Sequence, residues 1–100
     1  MEKRIVWTRY ALNNLDSLHE YIFNTSKSLI IADRVADQIL KSARTLAKQN
    51  QIYPLDKYKA PNDGSYRAYE IFHYRISYRV ATNEILILSV RHTSMNPRIY

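Results

Sequence analysis

Apolar residues recur along this chain at two different periods, and the change of period divides it. From Arg9 to Phe23, the residues Ala11, Leu15, Leu18 and Ile22 return at spacings of three and four, which lines them along one face of a helix. Asn24-Thr25-Ser26 interrupts the stripe, and Ser28 stands where a second N-cap belongs. Leu29, Ala32, Val35 or Ala36, Ile39, Ala43 and Leu46 then carry a like stripe to about Gln49. Two such helices with a short polar link predict an antiparallel hairpin. Ahead of them Lys3 to Trp7 is a short β-branched and aromatic run, closed by Thr8, whose hydroxyl can accept a free N–H of the first helical turn.

After Asn50 the pattern shifts toward alternation. Pro54 sets a break, Leu55 to Lys59 predicts a short strand, and Pro61-Asn-Asp-Gly64 predicts a turn around the only glycine of the chain. Tyr66 to Phe72, Tyr74 to Ala81 and Ile85 to Arg91 predict three more strands, with a turn at Thr82-Asn83-Glu84. Each helix has one apolar stripe, so together they cover one face of the sheet and leave the other open. The expected fold is α+β: an N-terminal strand and an antiparallel helical hairpin packed on one face of a small, mainly antiparallel sheet of four or five strands. Residues 1–100 leave room for a single domain with a single core.

Register narrows what the open face carries. If Val80 pairs with Leu86, then Tyr78 meets Leu88 and Ile76 meets Val90, which makes one face of this hairpin continuously apolar. The alternative slip sets Arg79 and Arg75 against Leu86 and Val90. In the favoured register Arg79 faces Ile87, Ser77 faces Ser89, and Arg75 faces Arg91. Like charges directly opposite destabilise a sheet, so this pair calls for an anion between its members or a carboxylate beside them. Two readings stand open. A planar guanidinium suits a phosphate because it can donate two parallel hydrogen bonds; equally, Glu70 on the preceding strand can neutralise Arg75 in a plain surface pair.

Composition changes this picture in few places. Hydrophobic residues make up 46% and charged residues 24%, as in an ordinary folded domain. No stretch approaches the roughly 18 apolar residues of a membrane span, and the start lacks a signal-peptide core, so a cytoplasmic protein is expected. The absence of cysteine removes disulfides and thiolate ligands, and His19, His73 and His92 lack metal-ligand spacing, so neither metal nor cofactor is expected. A net charge of +6 favours acidic partners, nucleic acid or protein, or serves solubility alone. More specific is the interleaving of Tyr53, Tyr58, Tyr66, Tyr69, Tyr74 and Tyr78 with Lys57, Lys59, Arg67 and Arg75.

The run HYRISYRV (His73 to Val80) followed by EILILSVRH (Glu84 to His92), after a strand and a helical hairpin, resembles the RelE/ParE superfamily of bacterial toxins over nearly the whole chain. The resemblance implies the toxin of a type II toxin–antitoxin (plasmid stabilisation) module, a fold like that of microbial ribonucleases, and a cognate antitoxin bound in a hetero-oligomer. RelE-like members cut messenger RNA in the ribosomal A site, whereas ParE-like members poison DNA gyrase and cut nothing. A ribosome-dependent, metal-independent endoribonuclease acting on mRNA is the first expectation; gyrase inhibition is the alternative, and a non-toxic nucleic-acid-binding protein is the third. Under the first, the resemblance places Arg75 on the scissile phosphate, with Arg67 and Arg91 assisting and His92 or Tyr100 transferring protons. Thr93 stands near where the ribonucleases carry Arg or His, which favours gyrase. Lys57, Lys59 and Arg79 are expected to contact nucleic-acid backbone.

Each candidate also has a plain structural reading. Arg67 can pack its stem on Tyr66 or Tyr69. His92 can be a hydrogen-bonded rim histidine, Lys57 and Lys59 can be solvated lysines, and the tyrosines can be core.

Overall fold

Thr8 ends the first strand and starts the first helix. In the computed structural model, which describes residues 2–95, 99 and 100, the Thr8 hydroxyl oxygen accepts the Ala11 N–H and its proton goes to the Ile87 carbonyl at 2.9 Å. Strand β1 (Arg4–Trp7) therefore passes into helix α1 (Arg9–Ser26) with no intervening loop. The helix continues past the expected stop at Phe23, because the Ser26 hydroxyl donates back to the Ile22 carbonyl instead of breaking the turn. It ends where Lys27 adopts a left-handed conformation at φ +59°. Ser28 then caps α2 (Leu29–Arg44) by accepting the Ile31 N–H, and a single 3-10 turn, Thr45–Ala47, finishes the hairpin.

The sheet contains β1, β2 (Tyr66–Ile71), β3 (Tyr74–Val80) and β4 (Glu84–His92) in the order β1-β4-β3-β2. β1 runs parallel to β4, and the other neighbours are antiparallel. One face meets the helices: Tyr69, Tyr74, Ile76, Tyr78, Ile85, Ile87 and Val90 pack with Ala11, Leu18, Ile39, Ala43 and Leu46. β2 turns into β3 through Phe72 and His73 alone, both at positive φ, as a two-residue hairpin loop of right-handed twist demands.

Two expectations need correction. Leu55 to Lys59 is not a strand: only Leu55 bridges to Arg67. The Asp56 carboxylate accepts the Tyr58 N–H at 3.0 Å, and this side-chain-to-backbone bond turns the chain where a strand would have continued. The expected β3–β4 register also holds only in part. Arg75 faces Arg91, Ile76 faces Val90 and Ser77 faces Ser89, but Tyr78 then pairs with Ile87, Arg79 with Leu86 and Val80 with Ile85. Leu88 is the extra residue of a bulge. Without it, Ile85 and Ile87 would point to the open face; with it, both are fully buried against the helices, which the apolar run Ile85–Leu88 permits because it does not alternate.

Candidate functional site

On the face away from the helices, β3 presents Arg75, Ser77 and Arg79, β4 presents Ser89 and Arg91, and β2 presents Ala68 and Glu70. This face is only partly open. Residues 55–60 lie across it, and Tyr100 pairs with them, its N–H donating to the Tyr58 carbonyl at 3.0 Å and its carbonyl accepting the Ala60 N–H at 2.9 Å. Between this cover and the sheet is a cleft of about 150 Å³ lined by Arg75, Ser77, Arg91, Asp56, Tyr58 and Tyr100, among others.

Asp56 organises the cleft. Its side chain is 1% exposed and accepts from Arg75 Nη2 at 2.9 Å, from the Tyr58 N–H, and from the Tyr100 hydroxyl at 2.6 Å. Arg75 Nη1 lies 3.5 Å from Glu70, and its guanidinium stacks on the Tyr58 ring. Of the two readings left open for Arg75, the internal one therefore holds: it already has a carboxylate on each side. The stronger partner is Asp56, which no motif or spacing in the sequence singles out.

These contacts set protonation. Burial alone would raise the Asp56 carboxyl, but hydrogen bonds from Tyr100, Arg75 and the Tyr58 N–H together hold it below its ordinary value of 3.8. Burial, and then the bond to Asp56, push the Tyr100 phenol well above the usual tyrosine range, so it stays protonated and its proton is committed to Asp56. The folded state thus binds fewer protons at Asp56 than the unfolded chain does. Its contribution to stability is complete above the ordinary pKa of 3.8 and is lost as pH falls through the lowered folded value. Urea titrations at decreasing pH are expected to show stability falling below pH 3.8, and falling less in Asp56→Asn.

The remaining candidates scatter. Arg67 is opposite Tyr78 on the helical face, away from Arg75, and donates to the Tyr53 carbonyl at 2.6 Å. It pins the 50–55 segment and cannot assist Arg75 across the sheet. Arg91 does lie directly across from Arg75; it donates to the Tyr10 hydroxyl at 3.3 Å and makes no ion pair among the described residues. His92 sits at the rim, its ring edge-on to Tyr74, and its Nδ1 accepts the Ser94 N–H at 3.0 Å. Lys59 and Arg79 both lie over the Tyr66 ring, Arg79 also approaching Asp63, while Lys57 lies over Tyr58. Among the described residues, no group of three His, Asp or Glu could hold a metal ion, and no helix is long and apolar enough to cross a membrane.

A helical hairpin and N-terminal strand on a mixed four-stranded sheet is the RelE/ParE-like architecture. Residues 5–97 match the family described as ParE toxin of type II toxin-antitoxin system, parDE, and the chain belongs to that family. A solved structure described as "Chromosomal ParDE TA system from P. aeruginosa" has the same fold, with a TM-score of 0.72 at 21% identity over 91% of this chain and 96% of that one. No match was found among curated protein sequences. The family match falls on the ParE branch and not on the RelE branch. It overturns the first expectation, ribosome-dependent cleavage of mRNA, and leaves the cleavage roles of Arg75, Arg67, Arg91, His92 and Tyr100 without a reaction to serve.

Proposed function

We propose that this chain is a growth-inhibiting toxin that acts in the cytoplasm by binding DNA gyrase, without catalysing a reaction, and that a cognate antitoxin holds it inactive in a hetero-oligomer. The family supports the pairing with an antitoxin. The observation that favours binding over catalysis is the closed Asp56–Arg75–Glu70 arrangement with Tyr100 docked on it. A phosphodiester would have to compete at the Arg75 guanidinium with the buried Asp56 carboxylate on one side and Glu70 on the other, and the Tyr100 proton is already committed to Asp56. Lys59, Arg79 and Arg91 remain available as surface cations for an acidic partner.

Expression under tight control, with transcripts mapped in arrested cells and purified gyrase assayed for supercoiling, tests this. Growth arrest with intact transcripts, an induced DNA-damage response and inhibited supercoiling is expected, and Asp56→Asn, which keeps an acceptor for Arg75, should leave transcripts intact too. Cuts at codon positions would overturn the binding mechanism. A folded chain that arrests no growth would overturn the toxin reading itself.

A further inference from the structure

The cover over the open face, and the β2–β3 edge beside it, set cations against tyrosine rings. Lys57 and Arg75 lie over Tyr58, Lys59 and Arg79 lie over Tyr66, and Lys59 also lies over Tyr100, with their charged groups 4.7 to 5.6 Å from the ring centroids. Tyr66 and Tyr100 meet edge to face at 6.0 Å, so Lys59 sits in the angle between them. Arg75 is neutralised by Asp56 and Glu70. The other three are not. Lys57 and Lys59 make no ion pair among the described residues. Arg79 approaches Asp63 only to 3.9 Å, and that carboxylate already accepts from the Ser65 N–H and hydroxyl. Contact with a ring face stabilises a cation without cancelling its charge. It also fixes the head group, so much of the rotamer freedom that a long side chain gives up on binding is already lost in the free protein.

We infer that Lys57, Lys59 and Arg79 form a contact surface for the phosphate backbone of duplex DNA, without readout of base sequence. Charge selects a polyanion, since each of the three head groups can donate to a phosphate oxygen. The exposed carboxylates nearby, Asp63 and Glu70, each lie within reach of an arginine, at 3.9 and 3.5 Å, so neither faces the partner alone. The rings select against unpaired bases, because stacking needs an open ring face and Tyr58 and Tyr66 each already hold two cations. Both helices pack on the opposite face of the sheet, so no helix stands here to enter a major groove and read base edges. Three phosphate contacts make a weak complex. The inference rests on the gyrase reading for the reason such a contact counts: gyrase holds DNA, and a toxin seated on it meets that DNA at high effective concentration. The chemistry of the surface does not depend on that reading.

The test is fluorescence anisotropy of a short labelled duplex titrated with the full chain over a series of salt concentrations. The logarithm of the binding constant should fall with the logarithm of salt at a slope of about −3, close to one unit for each phosphate neutralised. Lys57→Gln, Lys59→Gln and Arg79→Gln, all at positions at least partly exposed, should each flatten that slope by about one, whereas Lys41→Gln on the outer face of α2 should leave it unchanged. Duplexes of unrelated sequence should bind alike, and a single strand no more tightly. Three results would overturn the inference: no binding at low salt, tighter binding of the single strand, or a Lys41→Gln effect as large as that of Lys59→Gln, the mark of attraction by the overall charge of +6. Displacement of the duplex by poly-glutamate at equal charge concentration would also overturn it, making the partner an acidic protein. In the supercoiling assay the triple glutamine variant, shown to be folded by urea unfolding, should inhibit gyrase less than its parent. Equal inhibition by a triple variant that no longer binds DNA sinks this inference and leaves the gyrase reading standing; DNA binding as expected with gyrase unaffected does the reverse.

Discussion

Replacing Asp56 by alanine is expected to lower the stability of the folded chain by about 3–5 kcal/mol, the cost of leaving a buried charge without its partner. Three donors lose one acceptor: the Arg75 guanidinium, the Tyr58 N–H and the Tyr100 hydroxyl. Arg75 cannot turn to water in compensation, since its side chain is only 19% exposed and Glu70, at 3.5 Å and half in solvent, is a weaker mate. Against a typical total of about 5–15 kcal/mol for a small domain, this loss is large enough to populate the unfolded state near growth temperature. Urea unfolding at neutral pH measures it. Asp56→Asn should cost less because an acceptor oxygen remains. The double variant Asp56→Leu with Arg75→Met separates the value of the pair from the cost of breaking it: recovery of part of the loss is expected, since neither charge is left uncompensated while the Tyr58 N–H and Tyr100 hydroxyl still lack their acceptor. A loss under about 1 kcal/mol in Asp56→Ala would mean that the carboxylate is solvated and that Arg75 is free for a ligand.

The same carboxylate marks the boundary of what the sequence disclosed. The helices and the three C-terminal strands were legible because their apolar periods are regular and the helix caps, Thr8 and Ser28, are of the expected chemical type. The opposition of Arg75 and Arg91 was legible too, since it follows from pairing Ile76 with Val90. Register beyond Ser77 was not. Ile85-Leu-Ile-Leu88 offers an apolar residue to either face, so alternation alone cannot choose between a regular ladder and a bulge; the helical layer chooses, by burying Ile85 and Ile87 together. Asp56 was hidden for a different reason. Its partners come from residues 58, 75 and 100, and no local pattern brings those together. The sequence reads 55–59 as a strand bearing nucleic-acid contacts and Tyr100 as a proton-transferring residue, whereas in the fold they supply the groups that close the cleft. Which face Arg67 occupies was decidable in principle, because in β2 it alternates with Glu70 and shares a face with Tyr69.

Replacing Tyr78 by alanine should have an effect of similar size, about 3–5 kcal/mol, the range for deleting a large aromatic side chain from a core. Tyr78 is fully buried at the centre of β3, with its ring edge-on to Tyr69 and Ile87 directly opposite. Its hydroxyl donates to the Asn50 carbonyl at 2.9 Å, just after the helical hairpin ends. This bond, with that of Arg67 to the Tyr53 carbonyl, moors the segment that delivers Asp56 to the other face. Tyr78→Phe isolates the mooring from the packing: a loss of about 1–3 kcal/mol is expected for the orphaned carbonyl, together with faster amide exchange at Asp56 and Tyr58, whose N–H groups depend on the position of the segment. Titration gives an independent check. Burial pushes the Tyr78 phenol up to about 12 from an ordinary 10.0, so the folded state holds the proton more tightly than the unfolded chain does. The associated stability is complete below pH 10.0 and is lost as pH rises toward 12, and in Tyr78→Phe that alkaline loss should shrink. If the phenylalanine variant kept both its stability and slow exchange at Asp56, the core would not govern the cleft, and the segment from 50 to 60 would owe its position to Tyr100 and Asp56 alone.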